Sequence, residues 1–205
     1  MVMETLAPMT EADSLIHRLR SIIDRVDLGE LFATPQPLEV ELGSGDGTFL
    51  VEIAKANPAH NFIGIERLLG RLRKLDRKAR RAGLTNVRGV RIESAYFVEF
   101  LLPPHTTAAI HVYFPDPWPK RKHRRHRLIN ERFPIVAHQA LTAGGKVYLR
   151  TDHEEYFQQM RDVFGSSPLF RPSETPEELS GVLTDFERDF QARGVKTLRS
   201  TYEKV

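Results

Sequence analysis

The chain is predicted to fold as an α/β domain, a mostly parallel sheet with helices on both faces, and three observations carry that prediction. Apolar runs of strand length recur along the chain with helical stretches between them, the pattern of successive βαβ units. The first run leads into a glycine-rich turn, Glu41-Leu42-Gly43-Ser44-Gly45-Asp46-Gly47, which opens a helix. The second run ends on an acid, Glu66. In open α/β sheets, ligands bind in the crevice outside the carboxyl ends of the strands, where these two features fall.

Taken in order, residues 1–37 read as a helix over 11–24 followed by a proline-containing approach loop, and residues 38–205 as one globular domain. Leu38–Leu42 is the first expected strand, 47–57 a helix, and Phe62–Glu66 the second strand. Leu68, Leu72, Leu75, Ala79 and Ala82 then recur at spacings of 4, 3, 4 and 3, the apolar stripe of an amphipathic helix. Val87–Ile92, Ala109–Phe114 and Lys146–Arg150 read as three further strands. Helices are expected over 123–141, ending near Gly144-Gly145, and over 153–164. Residues 166–183, with three prolines, read as a long loop, and 195–204 as a closing strand.

At 205 residues, with 40% hydrophobic and 28% charged, the composition is that of an ordinary globular protein. No apolar run approaches the roughly 20 residues of a membrane span. The N-terminus carries Glu4, Glu11 and Asp13 rather than the layout of a secretion signal. There is no cysteine, hence no disulfide and no thiolate metal site. A cytoplasmic protein without membrane association is the expectation. His123 and His126 lie three apart but only bases surround them, so no metal site is expected. Monomer and homodimer are equally compatible with the sequence.

Net charge is only +3, but it is segregated. Residues 120–127 hold 6 of the 30 Lys and Arg residues and no acid, and residues 67–81 hold 8 more against the single acid Asp76. The rest of the chain has 16 bases against 26 acids. Such segregation is the footprint of a polyanion partner, with a solvated helix face as the alternative for 67–81.

The glycine turn has the spacing G-x-G-x-G rather than the G-x-G-x-x-G that seats a pyrophosphate. Glu41 and Asp46 would repel a diphosphate but suit a cationic ligand such as S-adenosylmethionine, with Glu66 placed to accept ribose hydroxyls. The alternative is an ordinary tight turn. The densest motif is Phe114-Pro115-Asp116-Pro117-Trp118-Pro119-Lys120, which runs into Arg121-Lys122-His123-Arg124-Arg125-His126-Arg127. Three prolines stiffen the turn that holds Asp116 and the only tryptophan. A rigid acid beside a phosphate-gripping run points to chemistry on a nucleic-acid base. Trp118 is suited either to stacking on a base or to anchoring the core.

On these two motifs, on Asn61-Phe62-Ile63-Gly64-Ile65-Glu66, on Thr151-Asp152, and on Thr184-Asp185-Phe186-Glu187 with Phe190 and Gly194, the chain resembles the bacterial tRNA (guanine-N7-)-methyltransferases from about Leu38 onward. The resemblance implies a Rossmann-like class I S-adenosylmethionine-dependent methyltransferase that forms 7-methylguanosine in the variable loop of tRNA. It implies that Glu41, Gly43, Gly45, Gly47, Glu66, Ser94 and Asp116 bind S-adenosylmethionine, and that Lys120, Asp152, Thr184, Phe186 and Glu187 meet the substrate. It assigns Lys122, His123, Arg124, Arg125, His126 and Arg127 to the RNA. Glu93-Ser94-Ala95 departs from the Asn or Asp usual after the third strand. Guanine N7 carries a lone pair and no proton, so transfer needs alignment rather than a base, and Asp116 is the expected catalytic carboxylate. Methylation of another RNA base, or RNA binding without catalysis, are the competing readings.

Overall fold

The computed structural model describes residues 14–205. Within them, eight strands form one sheet: β1 Ile16–His17, β2 Leu38–Leu42, β3 Asn61–Ile65, β4 Val87–Val90, β5 Thr107–Tyr113, β6 Leu141–Thr151, β7 Phe170–Ser173 and β8 Leu198–Lys204. Their order across the sheet is β1-β4-β3-β2-β5-β6-β8-β7. All neighbouring pairs are parallel except β6 with β8 and β8 with β7. The helices are α1 Leu28–Leu31, α2 Thr48–Ala56, α3 Leu69–Arg81, α4 Ser94–Tyr96, α5 Phe133–Ala140, α6 Glu154–Gly165, α7 Glu177–Gly181 and α8 Asp185–Ala192. None of the described helices is long and apolar enough to cross a membrane.

The sheet buries both faces, which is why the central strands read as near-continuous apolar runs. Leu38, Val40 and Leu42 join one cluster with Ile63, Ile110, Val147 and the buried residues of α5 and α6. The other face carries Phe49, Leu50 and Ile53 of α2 and Leu75 and Ala79 of α3 against Phe62, Val87 and Tyr113. Strand alternation sends Glu39 and Glu41 toward this second face. Glu39 is satisfied there by His111 Nε2 and His60 Nδ1, each at 2.7 Å. His111 Nδ1 in turn meets the Tyr113 hydroxyl at 2.8 Å.

The structure departs from the sequence reading at several points. Strand β6 begins at Leu141 rather than Lys146, and α4 and α8 are helices that the reading does not include. Residues 14–24 form no helix; the part of that expectation at 11–13 lies outside the described residues. Ile16–His17 instead pairs with β4, because buried Asp76 of α3 accepts from Leu15 N at 2.7 Å and Leu15 O accepts from Gly89 N. Leu68 is not part of the apolar stripe of α3; it caps that helix and is exposed. Residues 123–141 are not one helix: a short 3₁₀ stretch covers Arg121–His126, and α5 begins only at Phe133, with Pro134 at its start. The 166–183 loop contains β7 and α7. The closing strand is β8, where expected.

Candidate active site

β3 and β5 flank β2, so the loops after these three strands converge at one end of the sheet. They enclose a cleft of about 970 Å³. The glycine turn forms one edge. Gly43, Gly45 and Gly47 all take positive φ, and the amides of Gly43 and Ser44 both donate to Ile65 O at 2.9 Å, which ties the turn to the end of β3. Gly47 does not line the cleft: a Cβ there would lie 2.5 Å from Leu75 Cγ, so its role is the close packing of α2 on α3. Gly43 and Gly45 do line it, with Glu41, Glu66, Ser94 and Asp116.

Glu41 lies on the floor, 3% exposed, with Oε2 buried and without a hydrogen-bond partner among the described residues. Burial pushes its carboxyl well above the ordinary range, partly opposed by Arg150 and reinforced by Asp46 and Glu66. Ser44 Oγ is a second buried, unpartnered polar atom in the same wall. Unsatisfied buried polar atoms on residues that line a cleft call for an explanation, and a polar ligand would supply one. A buried, unpartnered carboxyl suits an aminoacyl sulfonium, whose positive charge would favour its ionised form. Glu66 Oε1 accepts from Leu68 N at 2.8 Å and Oε2 lies 3.8 Å from Arg71, which holds this carboxylate at the cleft edge. Glu93 caps α4 through the amides of Ala95 and Tyr96 and so fixes Ser94 at the rim.

Asp46 is spent within the protein. It pairs with Lys78 at 2.8 Å, and Thr48 Oγ1 joins Asp46 to Asp185 at the start of α8. Lys78 also contacts the Thr48 hydroxyl. This network latches the C-terminal segment onto the glycine turn, so that Thr184 and Phe186 form part of the cleft wall. Glu187 does not reach the cleft. It is fully buried, bonded to Arg150 and Arg199 at 2.8 Å each, and completes a capping box with Thr184. Burial alone would raise its carboxyl; the Thr184 amide and the two guanidiniums bring it below the ordinary value. Arg150 further donates to Leu179 O and Val182 O and lies 4.2 Å over the Tyr113 ring. One buried arginine thus seats α7 and α8 on the sheet.

The opposite edge is the turn after β5. Phe114 and Trp118 both adopt left-handed backbone angles, φ 51° and 41°, which non-glycine residues seldom do. Phe114 packs on Phe186 and Phe190, and Trp118 lies against His123 and His126. Trp118 is 36% exposed and lines the cleft, so it is not a core anchor. Asp116 stands exposed between them, its side chain without a hydrogen bond among the described residues.

Arg127 corrects the assignment of the whole basic run to RNA. Its side chain is 0% exposed, donates to Pro117 O at 2.7 Å and Gln159 at 2.6 Å, and lies over Tyr156. It clamps the Asp116 turn to α6 rather than facing solvent. Arg124 is exposed and pairs with Glu155, while Lys122 and Arg125 are exposed and His123 is half-buried. Lys120 and Asp152 are exposed beyond the cleft lining; the cap of α6 is His153, not Asp152. Sequence reasoning missed Arg67, Arg71 and Lys74 as lining residues, although their place after the Glu66 strand end could have indicated it. Among the described residues, no group of three or more His, Asp or Glu is arranged to hold a metal ion.

This sheet order, with its glycine turn and its antiparallel β8 beside β6, defines a Rossmann-like class I methyltransferase fold. The profile of the family described as "Putative methyltransferase" matches residues 35–200. The tRNA (guanine-N(7)-)-methyltransferase of Rubrobacter xylanophilus is 34% identical over 169 residues, 80% of this chain and 75% of the relative. That of Geobacter metallireducens is 33% identical over 184 residues, 87% of each, and that of Thermotoga maritima 32% over 181 residues, 88% of this chain and 58% of the relative. The chain belongs to the tRNA (guanine-N(7)-)-methyltransferase family. Solved structures share the fold: the 16S rRNA methyltransferase KamB superposes with a TM-score of 0.61 at 16% identity, covering 86% of this chain and 92% of KamB. TrmN from Thermus thermophilus gives 0.59 at 19% identity, covering 83% of this chain and 45% of its own.

Proposed function

We propose that the chain transfers a methyl group from S-adenosylmethionine to N7 of a guanine in the variable loop of tRNA. The observation that carries this reading is the meeting, in one cleft, of the unpartnered Glu41 floor with the rigid Asp116 turn. S-adenosylmethionine, when bound, supplies an activated methyl on a sulfonium. Glu41 and Ser44 are the groups to hold its amino-acid end, Glu66 its ribose, and Ser94 the region of its adenine. The protein's part in the transfer is orientation, because N7 has no proton to lose. Positive charge builds on the purine as N7 is methylated, and the Asp116 carboxylate at the cleft edge stabilises it. Trp118, exposed beside His126, is placed to stack on the base or its neighbour. Lys122 and Arg125 supply exposed positive charge for phosphates.

The test is methyl transfer to unmodified tRNA transcripts followed by cleavage at 7-methylguanosine. Wild type should give a single cut in the variable loop, and Asp116→Ala should lose about 10²–10³-fold in rate at saturating S-adenosylmethionine. Methylated RNA that resists this cleavage would replace N7 by another atom of the base. Tight tRNA binding without any transfer would instead support the binding-only reading.

A further inference from the structure

Eight of the chain's 30 Lys and Arg residues lie within 67–81, and the fold turns most of them outward. Leu72, Leu75, Asp76 and Ala79 of α3 face the core, leaving Arg67, Arg73, Lys74, Arg77 and Arg81 exposed. Lys78 pairs with Asp46, and Arg71 lies near Glu66. The five exposed side chains have no ion-pair or hydrogen-bond partner among the described residues.

Arg73, Arg77 and Arg81 follow one another at i,i+4, a straight row rising about 6 Å per step. Like charges at that spacing oppose one another and weaken a helix. A merely solvated face would interleave acids. Here the one acid, Asp76, is turned inward to hold Leu15 and leaves the row uncompensated.

The position of the row is as telling as its charge. α3 follows β3 and the 120–125 run follows β5, and these strands lie on either side of β2. Arg67, Arg71 and Lys74 line the cleft from the β3 side, Trp118 and His126 from the β5 side. From Lys74 the row continues along α3 away from the cleft.

We propose that the outward face of α3 is a second phosphate-binding surface, which takes the RNA backbone on the β3 side of the cleft while residues 120–125 take it on the β5 side. This rests on the tRNA reading of the same cleft. The substrate then straddles the site, held on both flanks, with the target base turned in toward Asp116 between them. A small-molecule acceptor would use neither track.

The experiment compares wild type with the triple variant Arg73→Gln, Arg77→Gln, Arg81→Gln. Glutamine has nearly the helix propensity of arginine, so α3 should persist. Binding of an unmodified tRNA transcript is measured across a salt series, and calorimetric binding of S-adenosylmethionine reports an intact fold. The slope of log K against log salt should flatten by about 2–3, at roughly 0.7–0.9 for each phosphate no longer neutralised, with at least about a tenfold weaker complex near physiological salt. A control variant, Arg161→Gln, Arg193→Gln, Lys196→Gln, removes three exposed bases elsewhere and should keep the wild-type slope. An unchanged slope in the α3 variant, or an equal flattening in the control, overturns the proposal. If wild type methylates tRNA while the α3 variant binds it unchanged, the α3 surface alone falls. If wild type neither binds nor methylates tRNA, the reading of the cleft falls and takes this surface with it.

Discussion

Glu41 and Glu187 are both buried within the field of Arg150, one in the floor of the cleft and one behind its wall, and the protein treats them oppositely. Glu187 receives two guanidiniums and a backbone amide and is held ionised. Glu41 keeps an oxygen with no partner and a carboxyl pushed toward its neutral form. A buried acid that the fold completes is architecture; a buried acid left incomplete beside a cleft is waiting for something to bind.

The comparison is broken most severely by Glu187→Ala. Removing it strands Arg150 and Arg199, and the loss of one partner in a buried ion pair costs about 3–5 kcal/mol. Chemical denaturation should show that loss, with α7 and α8 released from the sheet. If the variant is as stable as wild type, the wall does not depend on this pair.

Glu41→Gln should do the reverse. The affinity for S-adenosylmethionine should fall by about 10–100-fold, the worth of a charge-assisted hydrogen bond, as read by calorimetry. The ligand-free variant should be no less stable. Because burial raises the Glu41 carboxyl, its contribution to stability is full below the ordinary carboxylate value and is lost as pH rises through the raised one. The advantage of Glu41→Gln over wild type should therefore grow with pH in thermal melts. A variant that binds the cofactor normally would remove Glu41 from the site.

Glu187, Glu39 and Asp46 carry the opposite sign. In each, burial alone would raise the carboxyl, and hydrogen-bonded cationic or imidazole partners bring it below its ordinary value. Their contributions are present above the unfolded carboxylate value and are lost as pH falls through the lowered one. Wild type should lose stability on acidification, and Glu39→Gln should lose less over the same range.

The smallest effect is expected at the latch. Asp185 is exposed, so Asp185→Asn should cost no more than about 1 kcal/mol. Amide exchange should nonetheless quicken at the start of α8, where Thr48 no longer holds a carboxylate. Unchanged exchange would mean that the Glu187 anchor alone seats the wall.

The central strands, the glycine turn and the stripe of α3 were legible because period and glycine placement depend on local sequence. What could not be read was set by tertiary contacts. Ile16–His17 is a strand only because Asp76 and Gly89 receive it. Within the basic run, Arg127 is buried and Arg125 exposed two residues earlier, and nothing in a string of like residues marks which one turns inward. The Glu39–His111–His60 and Arg150–Glu187–Arg199 groups join residues far apart in the chain. The first leaves a trace in Glu39, an acid inside the apolar strand Leu38–Leu42, and the second in Arg150, a base at the end of the apolar run Val147–Leu149, but neither shows which partner it meets.

The turn that carries Asp116 has a consequence for speed as well as for shape. Two left-handed residues, each at a conformational cost of about 1–3 kcal/mol, and three prolines leave its backbone almost no freedom. Ordering a flexible backbone costs about 1–2 kcal/mol per residue, and here that cost is met once, when the chain folds. With Asp116 in its proposed role, an arriving guanine would find the carboxylate already in place, and binding energy from phosphate contacts would go to aligning the base rather than to freezing the loop.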